Sequence, residues 1–260
     1  KAFVKNILND TTGALDTRYP DGGSAITTLA VYLTDAWHIR DKWILNGGIR
    51  ANYVDLKATF KSKEFFPFPF DKASMNNFAV NGNLGVVYMP NKVLRFALSE
   101  SSGFRSPNID DLAKVFESVV ETNTTPGKLV MPNPDLKPEY AYTTEFSSGL
   151  RINEKYQFTV LGYYTYIQNL IAILPGTFNG SDTILYNNDY VNVYSAQNAN
   201  EGSIYGLEGT LKIQPFKNTT LTSTISYTKG QLRFNGARQP LDHIPPVYGK
   251  TGIQQVIKNF

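Results

Sequence analysis

Apolar and polar residues alternate along most of this chain. In FAVNGNLGVVY (78–88) every even position is apolar or glycine, from Phe78 to Tyr88, while the odd positions include Asn81 and Asn83. Because successive side chains of a β-strand point to opposite faces, this pattern predicts a strand with one apolar and one polar face. The fold class is therefore predicted to be all-β.

Nine segments of this kind are predicted as strands, and residues 1–9 are a candidate for the end of a tenth. The nine are 26–38, 43–55, 76–89, 92–100, 139–152, 156–170, 204–214, 219–228 and 248–257. One short helix is expected in NIDDLAKVFESV (108–119), where Asn108 is a suitable N-cap. Its apolar face would hold Leu112, Val115, Phe116 and Val119.

The connections between the nine segments alternate in length. The short ones are 39–42, 90–91, 153–155 and 215–218, and the long ones are 56–75, 101–138, 171–203 and 229–247. Soluble domains seldom contain unstructured loops beyond about 15 residues. Outer-membrane barrels, in contrast, join their strands by short turns at one end and long loops at the other. The chain is therefore predicted to be part of an antiparallel transmembrane β-barrel, with every short turn at the same end.

Aromatic residues mark both ends of the predicted strands. Trp37 and Trp43 flank the first short turn, and Tyr88, Tyr156 and Phe216 lie at the other three. A second group lies toward the long loops and comprises Tyr53, Tyr140, Tyr142, Tyr164, Tyr166, Tyr205 and Tyr227. Because Trp and Tyr collect at membrane–water interfaces, the two groups are predicted to form the two aromatic girdles of a barrel.

Composition narrows the remaining classes of protein. The net charge is only +3 and no basic run occurs, so nucleic acid is not a predicted partner. The chain has no cysteine, which excludes a disulfide framework and thiolate metal sites. No secretory signal is expected in KAFVKNILND (1–10), and no run of about 18 apolar residues predicts a transmembrane helix.

Five motifs resemble, in the same order, motifs of the TonB-dependent outer-membrane receptors. They are LNGGIRANY (45–53), GFRSPNIDDL (103–112), NPDLKPEYAYTTEFSSGLR (133–151), YGLEGTLK (205–212) and PLDHIPPVYGKTGI (240–253). Each motif is modest by itself, but together they extend over most of residues 26–253.

The resemblance implies a 22-stranded barrel around an N-terminal plug domain. Residues 1–260 would be a middle-to-late part of that barrel, with about nine or ten strands and without the plug. It also implies a bacterial outer-membrane receptor that binds a large, scarce nutrient, such as a siderophore, haem, cobalamin or a glycan, and imports it with TonB-supplied energy. The implied partners are outer-membrane lipid, the plug in the lumen, the nutrient, and the TonB complex, which acts through a missing N-terminal segment.

Catalysis and metal binding are not expected. His38 and His243 lie far apart without metal-ligand spacing, and no His–acid pair with a nucleophile is evident. The protein is therefore predicted not to be an enzyme, and to have no catalytic residue, cofactor or metal site.

An aromatic loop segment supplies the first candidate ligand contacts. EFFPFPF (64–70) alternates phenylalanines with prolines, and stiff, exposed aromatics can grip a sugar ring or an apolar ligand at low entropic cost. The candidates are Phe65, Phe66, Phe68 and Phe70. The alternative is that this loop packs on itself or on a neighbouring loop.

Charged residues on the predicted lumen side supply the other candidates. These residues are Arg50, Arg95, Glu145, Arg151, Glu208 and Lys212. Arg50, Glu145 and Glu208 are taken as ligand-binding candidates, while the alternative, contact with the missing plug and with one another, is the explanation favoured for any single inward charge. Arg105 is a fourth candidate, but with Asn108 it is expected rather to fix the base of its loop.

Two loop segments carry predictions about local structure. Asn179-Gly180 is expected to form a turn. PNPDLKPEY (132–140) contains three prolines, which fix φ and favour extended geometry in the preceding residue. It is expected to be a stiff lead that fixes the register of the next strand, since a one-residue slip would exchange that strand's two faces.

Two other functional classes stay open from the residues alone. One is a passive porin-like or purely structural outer-membrane barrel, which would need no plug. The other is a soluble all-β carbohydrate-binding module, which would need a second sheet packed over the apolar face.

Overall fold

The computed structural model describes residues 2–5, 12–15, 19–61, 70–114, 116–118, 127–153, 155–186, 189–199 and 201–257. Its elements in chain order are β1 (Ala2–Lys5), β2 (Thr12–Leu15), β3 (Ser24–Arg40), β4 (Trp43–Thr59), β5 (Lys72–Tyr88), β6 (Leu94–Arg105), α1 (Ile109–Ala113), β7 (Phe116–Ser118), β8 (Lys128–Met131), β9 (Glu139–Ile152), β10 (Tyr156–Gln168), β11 (Ile171–Pro175), β12 (Thr183–Tyr186), β13 (Asp189–Asn198), β14 (Glu201–Phe216), β15 (Thr219–Phe234), β16 (Ala237–Pro240) and β17 (Tyr248–Gln255).

Nine long strands form one antiparallel sheet, called the wall below. They are β3, β4, β5, β6, β9, β10, β14, β15 and β17, each paired with the next, and the short β16 extends the pairing of β15. All nine correspond to predicted strands, which confirms the all-β, antiparallel fold class. Several are longer than predicted at the long-loop end: β4 continues to Thr59, β5 begins at Lys72 and β15 ends at Phe234.

The order of the strands also confirms the predicted arrangement of turns. Each short turn joins a strand running in one direction to its antiparallel neighbour: β3 to β4, β5 to β6, β9 to β10 and β14 to β15. In a sheet whose strands pair consecutively, these four turns lie at one end and the long connections at the other.

Two local predictions need correction. Residues 1–9 were the candidate for a tenth wall strand, but their described part, Ala2–Lys5, pairs with β2 in a separate hairpin and not with the wall. Asn108 is confirmed as the N-cap of α1, but the helix ends at Ala113, and Phe116 begins a strand. Leu112, one residue of the predicted apolar face, is buried, whereas Val115 and Val119 lie outside the described residues. No helix of the described chain is long and apolar enough to cross a membrane.

The wall has an apolar face that the described residues leave uncovered. We call it the outer face; it carries the cross-strand row Leu29, Tyr53 and Phe78. Its exposed apolar side chains include Leu29, Val31, Leu33, Ile49, Phe78, Val80, Leu84, Leu98, Phe146, Phe158, Val160, Leu207, Leu211, Ile225 and Ile253, with exposed fractions from 36% to 73%. A soluble sandwich would bury this face beneath a second sheet, which the described residues do not provide. The composition is that of a lipid-facing barrel wall.

The opposite, inner face is polar. Pairing register places all six predicted inward charges there, because each alternates with an outer-face residue of its own strand. Asp35 and Glu100 break the pattern, because both carboxylates lie on the outer face among its apolar residues. Asp35 is paired with Gly47, and Glu100 accepts a hydrogen bond from the hydroxyl of Thr144 on the neighbouring strand.

Aromatic side chains line both ends of the outer face, as predicted for girdles. At the short-turn end Trp43 and Tyr88 stack with ring centroids 4.2 Å apart, and Phe96 continues the row 6.5 Å from Tyr88. At the long-loop end, the exposed rings are those of Tyr53, Tyr142, Tyr164, Tyr166, Tyr205 and Tyr227.

The long connections carry a second sheet, called the loop sheet. It contains β7, β8, β11, β12 and β13, with β8 and β13 parallel. Its core joins the loop-side end of β4, since Leu56 packs with Leu112, Leu129 and Val193 in one buried cluster. This buried cluster contains residues of both the wall and the long connections, and it therefore anchors the loops to the strands.

Candidate functional site

A cleft of ≈ 420 Å³ opens in the loop sheet at the long-loop end of the wall. Its lining consists of Phe70, Met131, Pro132, Asn133, Pro175, Gly176, Thr177, Phe178, Asn179, Ser195 and Gln197. We call it the loop cleft. Its size falls within the range of about 300–1,000 Å³ that small-molecule sites occupy, and its mixture of aromatic, amide and hydroxyl groups suits a ligand with apolar and polar parts.

Local hydrogen bonds hold the walls of the cleft. The Gln197 amide donates to the carbonyl oxygen of Pro175 at 2.8 Å, and the Asn133 amide donates to that of Ala196 at 2.8 Å. The predicted Asn179-Gly180 turn forms the rim and is confirmed, with φ of 51° and 84°. Glycine suits the second position because L side chains rarely adopt positive φ.

One of the four candidate phenylalanines lies in this cleft. Phe70 contacts Phe60 edge-on, with ring centroids 5.6 Å apart, and its ring contributes to the lining. Phe65, Phe66 and Phe68 lie outside the described residues. Phe70 therefore packs on a neighbouring ring and also borders the cleft, and its contact with a ligand stays a prediction.

Arg50 belongs to a second site on the inner face of the wall. Its Nε donates to Asn52 Oδ1 at 2.6 Å, and Asn52 Nδ2 donates to Asn81 Oδ1 at 2.9 Å. The Tyr32 ring lies 5.8 Å below the guanidinium carbon of Arg50. Asn81 Nδ2 is buried and has no acceptor among the described residues. We call this set the luminal amide patch; it borders a depression of ≈ 350 Å³ that Asn83 also lines.

The other inner-face candidates lie apart from this patch. Glu145 accepts a long hydrogen bond from Ser99 at 3.4 Å. Glu208 is exposed on the inner face of β14, opposite Leu161, and its side chain makes no hydrogen bond to the described residues. The structure therefore does not gather Arg50, Glu145 and Glu208 into one site.

Arg105 is engaged in the base of its loop. One guanidinium nitrogen contacts both Asp111 carboxylate oxygens, at 3.0 and 2.7 Å, and another lies 3.7 Å from Glu139. Asp111 closes a capping box with Asn108, and Glu139 accepts the backbone N–H of Ile171 at 2.8 Å. These contacts support the structural role expected for Arg105.

Replacing Arg105 with alanine is expected to loosen α1 by about 1–2 kcal/mol, because it removes the nitrogen that contacts both oxygens of a carboxylate that is only partly exposed. Hydrogen exchange of the Leu112 amide, which donates to Asn108 at 3.1 Å, would report it as a rise of about five- to thirtyfold. Arg105→Lys keeps the charge but has one nitrogen where arginine uses two, one toward Asp111 and one toward Glu139, so it should restore only part of the protection. Unchanged exchange in Arg105→Ala would contradict this role.

Most residues of the loop cleft and of the luminal amide patch could not be predicted as site residues from the sequence. Asn52 and Asn81 lie on the predicted polar face, so the alternation of apolar and polar residues along their strands was sufficient to place them on the inner face. The loop cleft had no comparable signal, since its residues come from three separate connections. Among the described residues, no three His, Asp or Glu side chains form a group suited to a metal ion.

Several solved structures share this fold. The copper transporter OprC matches with a TM-score of 0.71 at 14% identity, over 96% of this chain and 36% of its own. The ferric yersiniabactin uptake receptor FyuA of Yersinia pestis matches with a TM-score of 0.59 at 16% identity, over 91% and 32%. The hemophore receptor HasR of Serratia marcescens, a double mutant bound to its hemophore HasA and heme, matches with a TM-score of 0.62 at 13% identity, over 92% and 41%.

At these identities the likeness shows the fold, and this chain spans about a third of the length of the first two proteins. No curated protein sequence matches it. Residues 3–255 match the family described as TonB dependent receptor-like, beta-barrel. Taken with the wall and its alternating faces, that match shows that the chain belongs to the TonB-dependent receptor family of outer-membrane β-barrel proteins.

Proposed function

We propose that this chain forms part of the wall and outer loops of a receptor that binds a large, scarce nutrient outside the cell and imports it with TonB-supplied energy. The observation that carries the proposal is the loop cleft, which lies at the long-loop end of a wall whose inner face is polar. The loop cleft would capture the nutrient, and the polar inner face of the same wall would line the path along which it is imported.

The nutrient is proposed to carry a metal. The similar structures are those of a copper transporter, a ferric yersiniabactin receptor and a heme-bound hemophore receptor. Siderophore and haem complexes combine apolar surface with polar groups, and the loop cleft offers both kinds of contact through Phe70, Phe178 and Gln197.

The luminal amide patch is proposed to dock the plug domain. Arg50 and Asn81 present N–H donors on the inner face, and the buried Asn81 amide lacks an acceptor among the described residues. A backbone carbonyl of the plug would supply that acceptor, because buried donors are almost always paired.

Uptake by cells that express the full-length protein tests the proposal. The probes are radiolabelled ferric siderophores, hemin and Cu²⁺, in strains with and without TonB. We expect saturable surface binding in both strains and accumulation only with TonB. Non-saturable uptake that persists without TonB would instead support a passive channel.

A pair of tryptophan variants assigns the binding to the cleft. Thr177→Trp would fill the loop cleft and should weaken binding at least about tenfold, since bulky side chains exclude the ligand from the space it occupies. Thr183→Trp is the matched control, because Thr183 is also exposed in the loop sheet but does not line the cleft.

A further inference from the structure

Exposed basic residues lie at all four short turns of the wall. The segments at these turns, 40–42, 89–93, 153–155 and 217–218, contain five basic and two acidic residues. None of the five cations has an ion pair within the part of the chain that the structure describes. We call them the rim cations; they are Arg40, Lys42, Lys92, Lys155 and Lys217, and all are exposed.

An aromatic side chain accompanies the cation at every short turn. At three turns the two residues are adjacent in sequence, and the ring is 41% to 72% exposed. These pairs are Lys42 with Trp43, Lys155 with Tyr156, and Lys217 with Phe216. At the remaining turn, Lys92 lies four residues beyond Tyr88, whose ring stacks on that of Trp43. The combination of a cation and an interfacial ring is thus repeated along the whole rim.

A β-bulge turns Arg40 toward the face that carries these rings. The pairing register of β3 and β4 shifts between His38 and Arg40, so that Arg40 lies directly opposite Trp43. Without the shift, alternation along β3 would place Arg40 on the inner face together with His38. Trp43 lies on the outer face in one row with Tyr88 and Phe96. This row of aromatic side chains therefore ends in a cation.

Hydrogen bonds between neighbouring hairpins hold the turns in place. The N–H of Met89 donates to the carbonyl oxygen of Lys42 at 2.8 Å, and the N–H of Gln214 donates to that of Lys155 at 2.8 Å. The Gln214 side-chain amide also donates to the carbonyl oxygen of Lys217 at 2.7 Å. Neighbouring turns are two strands, or about 10 Å, apart. The rim therefore presents its cations as a row at regular intervals.

We propose that this rim selects anionic glycerophospholipids, such as phosphatidylglycerol, in the inner leaflet of the membrane. In outer-membrane barrels the short turns lie at the periplasmic end, and Trp and Tyr rings mark the level of the headgroups. A cation at that level attracts an anionic headgroup, which raises its affinity by about fivefold. An acidic periplasmic protein would fit the cations equally, but it would not explain the aromatic ring beside them.

Quenching of Trp43 fluorescence by brominated lipids measures this preference at the first turn. The full-length protein is placed in phosphatidylcholine vesicles that contain rising fractions of dibrominated phosphatidylglycerol or dibrominated phosphatidylcholine. The Trp43 signal is the difference between each protein and its Trp43→Phe counterpart. We expect phosphatidylglycerol to bind beside Trp43 at least about fivefold more tightly than phosphatidylcholine. Arg40→Gln/Lys42→Gln should lower that ratio to less than about twofold, and so should salt at about 0.5 M, because it screens exposed charges.

Lys57→Gln/Lys229→Gln is the matched control, because it removes the same charge from exposed positions at the long-loop end and should leave the ratio unchanged. Equal binding of the two lipids by the unmodified protein would overturn the proposal and would leave the rim cations to an acidic periplasmic partner. A preference that persists in Arg40→Gln/Lys42→Gln, or that the control loses equally, would also overturn it. If the double variant fails to fold, Lys42→Gln alone should still lower the ratio, and an unchanged ratio there would count against the rim.

Discussion

Replacing Ile225 with arginine is expected to destabilise the protein in a bilayer by about 2–4 kcal/mol, the cost of a cation on the lipid face of a barrel near its midplane. Ile225 is 59% exposed on the outer face, between Ser223 and Tyr227 on the same side of β15. In water an arginine at so exposed a position would cost little. The expected loss therefore depends on hydrocarbon covering the outer face.

The adjacent residue supplies a matched control. Thr224 is also exposed, but it lies on the inner face, where it pairs with Thr210 and Lys250. Thr224→Arg should therefore change stability much less than Ile225→Arg. Urea unfolding of the full-length protein in lipid vesicles measures both. Equal losses in the two variants would show that the outer face does not contact lipid.

Asn198→Ala is expected to release the segment that leads into β9, at a local cost of about 2–3 kcal/mol. The Asn198 side chain accepts the N–H of Lys137 at 2.8 Å and donates to the carbonyl oxygens of Lys137 and Asn169, at 2.9 and 2.8 Å. Alanine removes all three bonds, each of which contributes about 1 kcal/mol, and it takes this donor from the partly buried carbonyl oxygen of Asn169. One side chain thus joins the end of β13 to two other connections.

Hydrogen exchange at the Lys137 amide measures the loss. We expect exchange to become about 30- to 100-fold faster in Asn198→Ala. Asn192→Ala is the control, since Asn192 lies in the same strand and its side chain makes no hydrogen bond to the described residues. Comparable acceleration in both variants would assign the effect to β13 as a whole and would contradict the role of Asn198.

The wall could be predicted almost completely from the sequence. Phe78 and Leu84 lie on the outer face and Asn81 lies on the inner face, so the alternation of apolar and polar residues predicts which way each side chain points. Short turns also fix the pairing register of the two strands that they join, because a connection of a few residues lets the strands slip very little. That is why nine strand positions and six inward charges could all be assigned before the structure was known.

The loops could not be predicted in the same way. The parallel pairing of β8 with β13 joins residues more than sixty positions apart, and no periodicity encodes such a contact. The PNPDLKPEY segment was expected to act through its prolines alone. In the structure its register also depends on Asn133 and Asn198, which tie it to β13 by side-chain hydrogen bonds. Asp35 and Glu100 are likewise outside the pattern, since alternation predicts apolar residues at both positions.

The central claim is that one face of the wall contacts lipid and the other does not, and spin labelling tests it most directly. The chain has no cysteine, so single cysteines introduced along β5 would carry the label without background. In vesicles containing the full-length protein, collision with oxygen should be high for labels at Phe78, Val80 and Leu84 and low at Asn81 and Asn83. A water-soluble nickel complex should not show maxima at the first three positions. Oxygen accessibility without a period of two, or with its maxima at the asparagines, would contradict the account.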